Sequence, residues 1–164
     1  MQIAHKITPC LWFDDQAEEA AHFYTSIFKD SKITNVSRHG EAGKEIHGKR
    51  PGSAMMVAFE LAGQSFTALN GGPQFKFSEA VSLIVSCESQ AEVDYFWARL
   101  SEGGAEGQCG WLKDRFSFSW QIVPAALPEV MTDPDPARSQ RAMQAMFKMK
   151  KLDIAALERA AAGK

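Results

Sequence analysis

Apolar and polar residues alternate along this chain in short runs, broken at intervals by helical spacing. Ile7 to Phe13 reads as a strand, and Pro9 places it at an edge or a strand start. Ala17, Ala20, Ala21, Tyr24, Ile27 and Phe28 then recur at helical spacing and form one apolar stripe. Asp14-Asp15 offers that helix a cap, and Glu18 and Glu19 sit in its first turns, where the helix dipole favours acids. Ser31 to Arg38 alternates as a second strand. Met55, Val57, Phe59 and Leu61 alternate with Met56, Ala58 and Glu60 as a third. Ala62-Gly63-Gln64 turns it back into Ser65 to Asn70. The interval from His39 to Gly52 is rich in glycine and charge and reads as a mobile loop. Within it, Gly43 to Arg50 nearly spells a phosphate loop. Arg50, however, stands where the magnesium-binding Ser or Thr belongs, and Pro51-Gly52 blocks a following helix, so a nucleotide site is rejected.

The same order then begins again. Val81 to Cys87 echoes the first strand, and Gln90 to Leu100 supplies a second helix with its stripe on Val93, Phe96, Trp97 and Leu100. Gly103-Gly104 stops that helix, and strands follow around Glu106 to Trp111 and Phe118 to Val123. A strand-helix-strand-strand-strand unit cannot bury its sheet face and its helix alone, so two copies imply a shared curved sheet. The expected class is α+β: two βαβββ modules, residues 5–73 and 78–124, within a single domain of residues 1–164, forming a curved mixed sheet around a cavity. Beyond Pro124, Asp135 caps a helix that opens on Pro136, with Met143, Met146 and Phe147 on its apolar side. A second helix starts at Asp153, with Ile154, Leu157 and Ala161 inward. These helices, within residues 133–162, need a surface to lie on, either the chain's own sheet or a partner subunit, and a homodimer is expected.

Composition narrows the class. The net charge of −2 and the lack of a basic block beyond Lys148, Lys150 and Lys151 argue against nucleic acid. No run approaches membrane-spanning length, and the amino terminus lacks the apolar core of a signal peptide. Cys10, Cys87 and Cys109 are odd in number and lack metal-type spacing, which fits a reduced, cytoplasmic protein.

Leu11-Trp12-Phe13, followed by Ala17-Glu18-Glu19-Ala20 and Phe23-Tyr24, resembles the opening module of the vicinal oxygen chelate superfamily, which includes glyoxalases, extradiol dioxygenases and bleomycin-resistance proteins. Asn70-Gly71-Gly72-Pro73, Gln108-Cys109-Gly110-Trp111 and Trp120-Gln121-Ile122-Val123-Pro124 resemble, more narrowly, its PhnB-like branch, often labelled 3-demethylubiquinone-9 3-methyltransferase. The resemblance implies a divalent metal held by His and Glu from both modules. It carries those ligand positions onto Thr8, Asn70 or Ala68, Val81 or Ser82, and Gln121. Hydroxyls, amides and apolar side chains make a poor divalent site, so the expectation is no metal and no cofactor. At Ser117 the family usually places Gly, and a left-handed turn there would cost Ser about 1 kcal/mol. The methyltransferase label finds no Gly-x-Gly run to hold a cofactor.

What remains is a neutral cup. Thr8, Asn70, Ser82 and Gln121 are the expected polar ligand-binding residues, and Trp111 and Trp120 the flat walls, although each Trp also suits a core and Asn70 a strand-end turn. The first expectation is a metal-independent protein binding an aromatic or planar polar small molecule. The alternative is an enzyme, a lyase, isomerase or transferase acting on an aromatic or quinone-like compound, with Cys109 or a loop residue as the reactive group, unless that thiol is inert and buried. A third reading makes the Met-rich tail the recruiter of a partner.

Overall fold

The computed structural model describes residues 6–42 and 44–164; residue 5, where the first module was expected to start, and Gly43 lie outside the described residues. The chain divides into two units, residues 1–76 and 77–164. Each contains one four-stranded mixed sheet, so two sheets stand where one shared sheet was expected.

In the first unit, β1 (Cys10–Phe13), α1 (Ala17–Ile27), β2 (Lys32–Arg38), β3 (Ala54–Leu61) and β4 (Gln64–Asn70) form a sheet in the order β1-β4-β3-β2. β1 runs parallel to β4, and the other pairs are antiparallel. The stripe of α1 buries Ala17, Ala20, Ala21, Tyr24 and Ile27. They cover the sheet face that carries Leu11, Phe13, Val57, Phe59, Phe66 and Ala68, and Tyr24 stacks on Phe59 at 6.3 Å. Strand alternation sends Cys10, Trp12, Thr67 and Leu69 to the other face. The Ala62-Gly63 turn takes φ values of 47° and 80°, the left-handed pair a tight two-residue hairpin requires. The His39–Gly52 interval holds one helical turn, α2 (Lys44–His47), and is closed at its base by His39 N donating to Ser53 O and Gly52 N donating to His39 O.

The second unit repeats the plan with β5 (Ser82–Cys87), α3 (Gln90–Ser101), β6 (Ala105–Glu106), β7 (Trp111–Lys113) and β8 (Ser119–Pro124), in the order β5-β8-β7-β6. Val85, Cys87, Leu112, Trp120 and Ile122 line one face beneath Val93, Trp97 and Leu100 of α3. The expected strand from Glu106 to Trp111 is interrupted: Gly107 to Gly110 forms a turn between β6 and β7, because Cys109 and Gly110 both adopt left-handed backbone at φ 57° and 83°. Ser117 sits at φ 67°, so the turn does require the conformation that penalises its Cβ.

After β8 come α4 (Leu127–Met131), which the sequence pattern had not announced, α5 (Pro136–Met146) and α6 (Ile154–Ala161). Asp135 and Asp153 cap α5 and α6 as expected, accepting from Ala137 N and Ala156 N. Leu157 and Ala161 are buried as foreseen, but α5 buries Ala142 and leaves Met143 and Phe147 exposed. No helix among the described residues is long and apolar enough to cross a membrane.

Candidate functional site

The polar residues singled out in the sequence separate according to strand parity. Asn70 ends β4 on the face turned toward α1. Its Oδ1 accepts from Ala17 N at 2.8 Å, and its Nδ2 donates to Ala54 O at 2.9 Å. It therefore caps α1, in place of Asp14 or Asp15, and Gln16 at the N-cap position makes no side-chain bond. Both ends of its amide are spent on backbone. Trp120 likewise points toward α3, 2% exposed, with its indole N–H donated to Asp114 Oδ2 at 2.8 Å. Asp114 is the organiser of that corner: its Oδ1 also accepts from Phe116 N and Phe118 N, which fixes the turn containing Ser117.

Ser82, Trp111 and Gln121 lie on the face away from α3. Ser82 pairs with Ser119 and Trp111 with Gln121 across the strands, and Gln121 Nε2 donates to Ser82 Oγ at 2.9 Å. Ser119 and Lys113 share that face by alternation, and Lys113 Nζ is matched by Glu79 at 2.6 Å. Sequence reasoning missed Ser119, although adjacent residues of a strand must face opposite ways, so Trp120 and Gln121 could not both line one face. In the first unit Thr8 is half-buried, with its Oγ1 unpartnered among the described residues.

Register matches the two units position by position. Cys10 pairs with Thr67 and Phe13 with Asn70 in the first, while Ile84 pairs with Gln121 and Cys87 with Pro124 in the second. The counterpart of Gln121 is therefore Thr67, and that of Asn70 is Pro124.

Cys109 is held in a turn. Its N–H donates to Met149 O at 2.8 Å, and its thiol donates to Met146 O at 3.6 Å. Cys87 is sequestered beneath α3, where burial pushes its thiol up to about 11, and burial raises Cys10 as well. The Gly71-Gly72 pair serves an indole: a Cβ on Gly71 would fall inside the Trp12 ring, and Trp12 Nε1 donates to Gly72 O at 2.8 Å. Nothing in that turn leads into a helix of the kind that cradles a nucleotide cofactor.

The family model described as 3-demethylubiquinone-9 3-methyltransferase matches residues 5–123. Among solved structures, the Bacillus cereus PhnB protein, which carries the same methyltransferase description, is 35% identical, with a TM-score of 0.66 over 74% of this chain and 100% of its own. Protein PA1353 of Pseudomonas aeruginosa shares the fold at 18% identity and a TM-score of 0.59, over 74% of this chain and 98% of its own. The fosfomycin resistance protein FosX of Listeria monocytogenes, solved with Mn(II) and sulfate, does so at 16% identity and 0.52, over 79% of this chain and 97% of its own. Among curated proteins none gives a significant match.

The divalent ion that the resemblance implies has to be matched by the donors present. The first unit offers the hydroxyls of Thr8 and Thr67; the second, taken by itself, offers Ser82 and the Gln121 amide, whose nitrogen is already engaged with Ser82. No group of three His, Cys, Asp or Glu among the described residues could hold an ion. These donors do not fit a catalytic divalent centre. With the model match spanning both units and the PhnB protein at 35% identity covered along its whole length, the chain belongs to the 3-demethylubiquinone-9 3-methyltransferase family.

Proposed function

We propose that this protein binds a small, neutral, planar molecule bearing a carbonyl oxygen, without a metal ion, on the face of the second sheet that carries Ser82, Trp111, Ser119 and Gln121. The observation that carries this reading is the Ser119 hydroxyl. The residue is 1% exposed, and its Oγ is buried with no hydrogen-bond partner among the described residues. A buried hydroxyl left unpaired costs about 1–3 kcal/mol, and an acceptor on a ligand removes that cost. Its neighbours supply matching chemistry. Ser82 Oγ accepts from Gln121 Nε2 and so keeps its own hydrogen to donate, while Gln121 retains a second N–H and Oε1. Trp111 adds a flat apolar surface beside them. With Lys113 neutralised by Glu79, the face favours a neutral ligand over an anion.

The test uses 2,3-dimethyl-1,4-naphthoquinone, whose blocked ring carbons resist thiol addition, titrated by calorimetry and tryptophan quenching. Saturable binding of one probe per chain, unchanged by a chelator, is expected. Gln121→Ala should weaken it about tenfold, the loss of one to two hydrogen bonds. Ser119→Ala should weaken binding while leaving the free protein as stable or more so, since the hydroxyl has no bond to lose. Equal affinity in wild type and Gln121→Ala overturns the reading.

A further inference from the structure

We infer that residues 146–154 form a clasp that positions Trp111 and Gln121 from behind, so that docking of the tail sets how well the second sheet's ligand face is held. The inference rests on the ligand reading above for its functional consequence, and on the following geometry for its existence.

The family match ends at residue 123, so the clasp lies in the part of the chain beyond it. It is fastened to the turn that delivers Trp111. Cys109 N donates to Met149 O and Gly110 N to Lys150 O, both at 2.8 Å. Gly110 in turn passes the contact to the sheet: its carbonyl accepts from Ile122 N at 2.8 Å, the residue next to Gln121. Gly110 is thus bonded to the tail through its nitrogen and to β8 through its oxygen, and Trp111 follows it directly. There is no slack at this point. A Cβ on Gly110 would meet Ile122 O at 2.7 Å and the Leu152 side chain at 3.2 Å, and Leu152 is 0% exposed.

A second fastening holds the tail's far end. Gln90, at the start of α3, donates through Nε2 to Leu152 O at 3.1 Å and accepts through Oε1 from Ile154 N at 2.9 Å. Lys151 pairs with Asp94 at 2.5 Å, and Lys150 with Glu106 at 3.7 Å. Gln90 and Asp94 belong to α3, on the opposite side of the sheet from Ser82, Trp111 and Gln121. Gln90 therefore touches the ligand face nowhere directly, and faster exchange at Cys109 and Gly110 marks the route through the clasp as distinct from one through α3.

The experiment compares full-length wild type with Gln90→Ala by residue-resolved amide hydrogen exchange and by naphthoquinone titration. Exchange at Cys109 and Gly110 should rise at least tenfold, Ile122 should rise with them, and the probe Kd should increase severalfold. The Gly71 amide, which donates to Phe13 O in the first unit, serves as the unmoved reference. If Gln90→Ala fails to fold, Gln90→Glu carries the same comparison, since it keeps an acceptor for Ile154 N and loses the Nε2 donor that serves Leu152 O and Asp94 Oδ1. Faster exchange at Cys109 and Gly110 with Ile122 and the Kd unchanged overturns the inference, because the tail would then merely dock. Unchanged exchange at all three overturns it as well. If wild type does not bind the probe, the ligand reading fails alone, and Ile122 exchange still decides whether the clasp reaches the sheet.

Discussion

The two units share a strand order and a parallel closing pair, yet they start their helices in opposite ways. α3 is capped from its own neighbourhood: Ser89 Oγ accepts from Glu92 N at 3.3 Å, and Glu92 reaches back to Glu88 N at 2.7 Å. That is a reciprocal cap related to the capping box, with Glu92 reaching the residue before the N-cap, and it is written within five residues of sequence. α1 has no such device and borrows Asn70, 53 residues downstream, at the end of the strand beside it. One topology thus leaves the source of each terminal bond open. A local cap forms with its helix, whereas the borrowed one exists only once β4 has docked against β1. The first unit is accordingly the more dependent on completed tertiary structure.

Substitutions in each unit test this contrast. The largest effect is expected in the second unit at Asp114, because Asp114→Ala orphans Phe116 N, Phe118 N and Trp120 Nε1 together. A loss of about 3–5 kcal/mol in urea denaturation followed by tryptophan emission is expected. Next comes Gly71→Ala in the first unit, where the new methyl must displace the Trp12 indole; about 2–3 kcal/mol should be lost, with a blue or red shift in emission reporting the moved ring. The caps themselves form the direct test. Asn70→Ala removes two buried bonds and should cost about 2 kcal/mol, against about 1 kcal/mol for Ser89→Ala, whose cap is exposed. Equal costs would erase the distinction between local and borrowed caps. Ser117→Gly should go the other way, stabilising by up to about 1 kcal/mol by relieving a left-handed Ser. The smallest effect at neutral pH concerns Cys87, the counterpart of Phe13. Burial favours its protonated thiol in the folded state, so its contribution is fully present below the ordinary thiol range. It is lost as pH rises toward about 11, and Cys87→Ala should flatten the alkaline fall of the denaturation midpoint.

Much of the fold was legible in the chain. The stripes of α1 and α3, the alternation of β3 and β4, and the Asp-Pro start of α5 are periodic or local signals, and each appears within a residue or so of its expected bounds. The site was legible only in part. Ser82, Trp111 and Gln121 fall on the face away from α3, but Trp120 turns toward α3 and Asn70, in the first unit, toward α1, because their roles are fixed by partners distant in sequence or by parity across a turn. Asn70 faces Ala17 and Ala54, and nothing near residue 70 announces either. The Gln108-Cys109-Gly110 string read as the possible seat of a nucleophile. It proves to be a left-handed corner whose neighbours come from residues 146–152, a contact that no periodicity encodes.

That corner also bears on how the tail can vary. Its grip on residues 149 and 150 is made by main-chain N–H and C=O groups, which every non-proline residue supplies alike. Met149 and Lys150 can thus drift in identity while the path of the chain stays fixed, whereas Gly110, wedged against Ile122 O and Leu152, has no comparable freedom. Randomising positions 148–150 and selecting for folded protein should return a loose consensus there that excludes little, beside a near-invariant glycine at 110.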